Sequence, residues 1–199
     1  MENFQPWAQP WWVNLLILIP LIAFVSWRGK ELQFTRGQLV LMAIFAVAFG
    51  FVEAAVVVYL RAATGLLPGY HGTLADVRRA APNLSVQEKA LQEFPSSLLT
   101  LEVFREAATM IMLVSMAVLA ATKWRERCAA FVWAFAIWDI TYYLGLWATV
   151  RWPASLTDLD VLFLIPVPWV AQVWFPLLVS GLTTMAVLWS AGVGRGKVE

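Results

Sequence analysis

Apolar runs separated by short polar segments set the layout of this chain. A first run extends from Trp11 to Trp27, polar residues fill 28–37, and a second run covers 38–60. A long polar segment, 61–97, precedes a third run at 98–122, a fourth at 129–150 and a fifth at 171–193. At about 1.5 Å per residue, roughly 20 residues cross about 30 Å of hydrocarbon, so each run reads as a membrane-crossing helix. The spacing predicts one all-α membrane domain over residues 1–199, a polytopic bundle of five spans. Residues 161–170 carry Pro166 and Pro168, which point to a broken re-entrant or interfacial segment. Within the outer loop 61–97, residues 75–91 form a candidate amphipathic surface helix. No basic stretch precedes the first run and no small-x-small pattern follows it closely, so it reads as a permanent helix rather than a signal peptide.

Composition agrees with the pattern. Hydrophobic residues make up 61% of the chain and charged ones 14%, with a mean hydropathy of +0.71, values that do not describe a soluble domain of this length. The net charge of +1 shows no nucleic-acid footprint. Cys128 is the single cysteine, which excludes an intrachain disulfide and cysteine-rich metal sites. His71 is the single histidine, so the paired axial ligands usual for a transmembrane haem are missing and no haem is expected.

Lysine and arginine counts give an orientation. Arg28, Lys30 and Arg36 lie in the first loop, Lys123, Arg125 and Arg127 in the third, and Arg195 and Lys197 in the tail, whereas the fourth loop has only Arg151. The odd loops and the C-terminus are therefore expected in the cytoplasm, with the N-terminus, the 61–97 loop and the loop at 151–160 outside, in a bacterial cytoplasmic membrane. Trp7, Trp11, Trp12, Trp27, Trp124, Trp147, Trp152 and Trp189 fall near span ends, as interfacial anchors do.

Candidate chemistry lies in five ionisable residues inside the apolar runs: Glu53, Glu102, Arg105, Glu106 and Asp139. Such groups are expensive in hydrocarbon and mark functional sites. Counted from the outer ends of their helices, Glu102 is about 6 Å deep, Glu53 about 10 Å, Glu106 about 12 Å and Asp139 about 16 Å. Glu102, Arg105 and Glu106 share one face of the third helix, continued by Thr109, and Asp139, Tyr142 and Tyr143 repeat the spacing on the fourth. Four carboxylates against one arginine leave a surplus of negative charge that requires protons, a metal or a cationic substrate group.

An all-oxygen set suits Mg, Ca or Mn, and bridged carboxylates can hold Fe, although Glu102-Val-Phe-Arg105 lacks the histidine of the di-iron pattern. The expected metal ligands are Glu53, Glu102, Glu106 and Asp139, or an acid/base pair drawn from them. Arg105 is expected as an anion clamp, with Tyr142 and Tyr143 as hydrogen-bond donors. His71 could lean over the cluster from the outer loop. A purely structural alternative pairs Arg105 with Asp139 or Glu53 and leaves the other carboxyls protonated or bonded to Tyr142, Tyr143 and Trp138.

The inner halves of the second to fifth runs hold no ionisable residue, which argues for a pocket entered from outside or sideways. The function expected is a metal- or cation-binding site of a membrane-embedded enzyme acting on an amphiphilic substrate, with residues 158–169 covering the pocket. Two alternatives stand beside it: a non-enzymatic subunit or scaffold of a larger membrane complex, and a proton- or cation-coupled transporter. Membrane lipids, other membrane subunits or a second copy of the chain are the expected partners. No HExxH, GxSxG, P-loop or DDxxD motif occurs. The strings Phe49 to Arg61, Arg105 to Thr109, Trp138 to Tyr143 and Phe163 to Trp169 resemble those of a family of small, uncharacterised bacterial multi-pass integral membrane proteins. That resemblance covers residues 38–180 and implies no activity.

Overall fold

The computed structural model describes residues 4–27, 32–63 and 96–191. Five α-helices are seen among them: α1 (Leu18–Trp27), α2 (Arg36–Ala63), α3 (Ser96–Ala120), α4 (Trp124–Val150) and α5 (Trp174–Ser190). Three of these, α2, α3 and α4, are long and apolar enough to cross a membrane. A 3-10 segment, Trp11–Ile17, leads into α1. His71 and the surface helix expected at 75–91 lie outside the described residues, as does most of the 61–97 loop.

The all-α expectation is corrected by a two-stranded antiparallel sheet, β1 (Leu159–Phe163) against β2 (Trp169–Gln172). Leu159 pairs with Gln172, Asp160 with Ala171 and Val161 with Val170, and a bulge before Phe163 shifts the register. Pro166 and Pro168 stand in the connecting tip, where the missing N–H groups break no ladder bond. Residues 161–170, expected as a broken re-entrant or interfacial segment, thus belong to a β-hairpin. Gln9 extends the sheet past β2, exchanging backbone hydrogen bonds of 2.8 and 2.7 Å with Val170. Asn14 fixes that N-terminal segment by accepting from Ala8 N–H at 2.9 Å and donating to the Ala8 carbonyl at 3.0 Å.

The hairpin also delays the start of the last helix. Ala171 and Gln172 belong to β2, so α5 begins at Trp174 and has 17 residues, against the 171–193 expected. In the other direction, α4 starts at Trp124 rather than 129, because Arg127 turns its guanidinium back onto the Ala121 carbonyl at 2.9 Å and closes the preceding turn. At the start of α2, Thr35 and Gln38 cap each other's backbone, Gln38 N–H to Thr35 Oγ1 at 3.1 Å and Thr35 N–H to Gln38 Oε1 at 2.9 Å. This reciprocal pair satisfies two donors that a helix start leaves open.

The central helix is α4, which packs against α2, α3 and α5, while α1 lies on α5. Close approach of α2 and α4 depends on small residues. A Cβ on Gly50 would stand 2.6 Å from the Trp138 carbonyl oxygen, and one on Gly145 would stand 2.8 Å from Ala54 Cβ. Ala46, Gly50 and Ala54 form a stripe at four-residue spacing, the small-residue pattern that lets membrane helices meet backbone to backbone.

Exposed apolar side chains cover the outside of the bundle. Leu41, Ile44 and Phe51 on α2 and Phe104, Ile111 and Leu119 on α3 all face away from the protein. Of the tryptophans expected at the interface, Trp7, Trp11, Trp124, Trp147 and Trp189 are exposed. Trp27 and Trp152 are core residues instead, buried against Ala23 and Leu39 in one cluster and Tyr143 and Val173 in another.

Candidate functional site

Each polar stripe expected from the sequence is buried apart from the half-buried Arg105 and Tyr142, but the two stripes do not merge into one ionic cluster. On α3, Glu102, Glu106 and Thr109 are buried along one face, with Arg105 half-buried beside them. The Arg105 guanidinium bridges two helices. It is ion-paired with Glu53 of α2 and donates from Nε to Glu102 Oε2 at 2.8 Å. Thr109 completes this half, its hydroxyl donating to Glu53 Oε1 at 2.6 Å. One cation thus serves two carboxylates, and of the two partners considered for Arg105 it is Glu53, not Asp139, that it meets.

Asp139 turns the other way. It accepts a hydrogen bond from the Ser180 hydroxyl of α5 at 2.8 Å. One turn along α4, the Tyr143 hydroxyl donates to Asp160 Oδ2 at 2.8 Å, and Asp160 Oδ1 accepts the Val161 N–H at 2.9 Å. Glu106 reaches the hairpin, accepting the Leu164 backbone N–H at 2.8 Å.

Between the halves lies a cavity of about 270 Å³. Glu53, Arg105, Glu106, Asp139, Tyr142 and Tyr143 all line it, and Glu102 does not. Most of the remaining wall is aromatic or aliphatic, and β1 and β2 close it with Val161, Phe163 and Trp169. The aromatic rings form a connected layer. Phe135 stacks on Phe163 at 6.2 Å and Trp138 on Tyr142 at 6.2 Å, while Phe163 tilts against Trp169 at 5.4 Å. Such pairs favour an ordered wall over a collapsible one.

Asp160, Ser180 and Thr183 join the site from outside the two polar stripes. Asp160 is only 3% exposed and adds a further carboxyl to the buried acids of the site, and it lines the cavity together with Ser180 and Thr183. Its signal was the alternation of polar and apolar residues in Leu159-Asp160-Val161, which has the period of a strand and places Asp160 on the face opposite its neighbours. Ser180 and Thr183, three apart inside an apolar run, mark an inward helix face in the same way.

Two buried indole N–H groups, on Trp138 and Trp169, find no hydrogen-bond partner among the described residues, and both tryptophans line the cavity. Buried donors are normally satisfied, so each marks a place for an acceptor. The carboxyls, by contrast, are already engaged with Arg105, Thr109, Ser180, Tyr143 and two backbone N–H groups. Among the described residues no three His, Cys, Asp or Glu side chains converge as a metal-holding group. This arrangement can grip a polar head by several hydrogen bonds inside an apolar enclosure, and it can exchange protons with that head through Glu106 or Asp139. Comparison with models of known protein families, with curated proteins and with solved structures yields no match to this chain.

Proposed function

We propose that this chain is a membrane-embedded enzyme whose cavity holds the polar head of an amphiphilic substrate. The protein sits in a bacterial cytoplasmic membrane, with its N-terminus outside and its C-terminus inside. All five apolar segments cross. The 3-10 stretch before α1 supports this for the first one, because about 2.0 Å of rise over its residues and about 1.5 Å over those of α1 give roughly 29 Å in total. Exposed Leu, Ile and Phe side chains around α2 and α3 suit a lipid surround.

The observation that carries the reading is the cavity itself, an aromatic enclosure into which Glu106 and Asp139 project from different helices. Its volume is near the lower end of the roughly 300–1,000 Å³ usual for ligand pockets, enough for a head group and the first carbons of a chain. Glu106 and Asp139 act as acid and base, each oriented by one fixed hydrogen bond, from Leu164 N–H and Ser180 respectively. Tyr142 borders the head group, and Tyr143 holds Asp160 in place. The charge surplus is met by protons and by the substrate; among the described residues no three of the acids gather as a metal-holding group.

For the Arg105 half of the site a scaffolding role is favoured by a specific observation. Glu53, Arg105 and Glu102 satisfy one another across α2 and α3 and resemble an interhelical joint more than a reactive group.

The test compares cells producing the wild-type chain with cells producing Asp139→Asn or Glu106→Gln at equal levels. Lipid extracts are profiled by mass spectrometry, and the purified proteins are examined by native mass spectrometry. The expected result is a lipid-soluble species that changes in abundance only with the wild type, and a co-purifying amphiphile reduced in the variants. Identical lipid profiles with no retained amphiphile would refute the proposal.

A further inference from the structure

We infer that the head group taken by the cavity is a protonated amino alcohol, an ammonium with an oxygen acceptor close by. The inference rests on the cavity being the substrate site and specifies the chemistry that the site selects.

Charge comes first. Four carboxyls line the cavity, on Glu53, Glu106, Asp139 and Asp160, and the only cation lining it among the described residues is Arg105. That guanidinium is already shared between Glu53 and Glu102, so it leaves no positive charge for the far wall. An anionic head would meet repulsion at low dielectric, and a neutral head would leave the surplus of acids to be met by protons alone. A cation relieves both problems.

The form of the cation follows from the hydrogen bonds. Asp139 and Glu106 have, among the described residues, one donor each, from Ser180 and Leu164, whereas an ionised carboxylate has room for about four. A protonated primary amine brings three N–H donors to such acceptors, and a quaternary ammonium brings none. The aromatic wall of Phe135, Trp138, Tyr142 and Phe163 favours a cation over a neutral donor of the same shape.

The oxygen is called for by independent atoms. Trp138 is 7% exposed and its Nε1–H lacks an acceptor among the described residues, as does that of Trp169. An ammonium cannot accept a hydrogen bond, so an amine alone leaves both indoles unsatisfied. A hydroxyl on the neighbouring carbon supplies an acceptor for them.

The full-length protein in nanodiscs of zwitterionic lipid is titrated with 1-amino-2-octanol, octylamine, 1-octanol and octyl phosphate, with empty nanodiscs as the blank. Binding is read by equilibrium dialysis. The amino alcohol is expected to saturate at one per chain and to bind about tenfold or more tighter than octanol, with octyl phosphate unbound. Asp139→Asn removes the preference for amine over octanol, and Trp138→Phe weakens the amino alcohol while leaving octylamine unchanged. The four-probe comparison on the wild type decides the class even if a variant does not fold. Equal binding of octanol, saturable binding of octyl phosphate, or octylamine matching the amino alcohol would overturn the inference while the pocket remains. Failure of all four to bind would remove the pocket reading together with it.

Discussion

Leu164, in the tip of the β-hairpin, donates its backbone N–H to Glu106 Oε2 of α3 at 2.8 Å, across 58 positions of sequence. This bond joins the cover of the cavity to its acidic wall. A carboxylate on α3 therefore both lines the cavity and holds the segment that closes it, so a change at Glu106 acts on the wall and on the cover together. Other ties reach the strands themselves, among them Tyr143 to Asp160, Gln9 to Val170 and Gln5 N–H to Gln172 Oε1.

Replacing Glu106 separates those two roles. Glu106→Leu removes the acceptor and leaves the Leu164 N–H without its partner, and a hydrogen bond to a charged group contributes about 1.5–3 kcal/mol. Amide hydrogen exchange across 159–172 is expected to accelerate about tenfold or more in the tip while the β1–β2 ladder stays protected. Glu106→Gln retains a carbonyl acceptor and is expected to leave exchange close to wild type while losing the acid. Unchanged exchange in Glu106→Leu would show that the tip is held by other contacts.

The ion pair between Arg105 and Glu53 is read best by a double-mutant cycle. Arg105→Met leaves two buried acids without their cation and is expected to destabilise by about 3–5 kcal/mol, the usual effect of removing one partner of a buried pair. Glu53→Leu combined with Arg105→Met is expected to be less damaging than the sum, with a coupling of about 1–3 kcal/mol in reversible unfolding from detergent. Additive losses would mean that the two side chains do not stabilise each other.

Contact between α2 and α4 at Gly145 and Ala54 gives a steric prediction with its own rescue. Gly145→Ala places a methyl 2.8 Å from Ala54 Cβ and forces the helices apart. Overpacking of this kind costs about 1–3 kcal/mol. Adding Ala54→Gly to Gly145→Ala moves the methyl from one helix to the other and is expected to restore most of the loss in thermal stability. Gly50 offers no such exchange, because its close neighbour is the Trp138 backbone carbonyl, so Gly50→Ala is expected to be the more damaging single change.

These relationships differ in how far the chain itself discloses them. The long helices were legible because uninterrupted apolar runs of the right length leave few other structures open, and the stripe from Glu102 to Thr109 was legible because three- and four-residue spacing puts side chains on one helix face. The hairpin was not, because strand period and helix ends are hard to separate in a short apolar stretch with two prolines, and Gln9 stabilises it from the other end of the chain. The partners of the acids were not legible either. Helix spacing gives the face on which Asp139 stands, but whether it meets Arg105 or Ser180 depends on how α4 is rotated between its neighbours, which no local pattern encodes. A carboxylate surplus was visible in the sequence, whereas its division into a satisfied joint and an open wall depends on tertiary contacts.

Orientation is the prediction on which the source of the substrate depends. Lys123, Arg125 and Arg127 stand at the α3–α4 turn, and the loop after α4 has only Arg151, whose guanidinium lies over the Trp147 ring at 4.5 Å. By the positive-inside bias, the turn is expected in the cytoplasm and the hairpin end outside. With Cys128 replaced by serine, single cysteines at the exposed positions Ala154 and Lys123 test this with a membrane-impermeant maleimide. Ala154→Cys is expected to label in intact cells, and Lys123→Cys only after permeabilisation. The reverse pattern would turn the covered end of the cavity toward the cytoplasm, and the amphiphile would then have to come from the inner leaflet, because the hairpin and the acids it covers move as one end of the bundle.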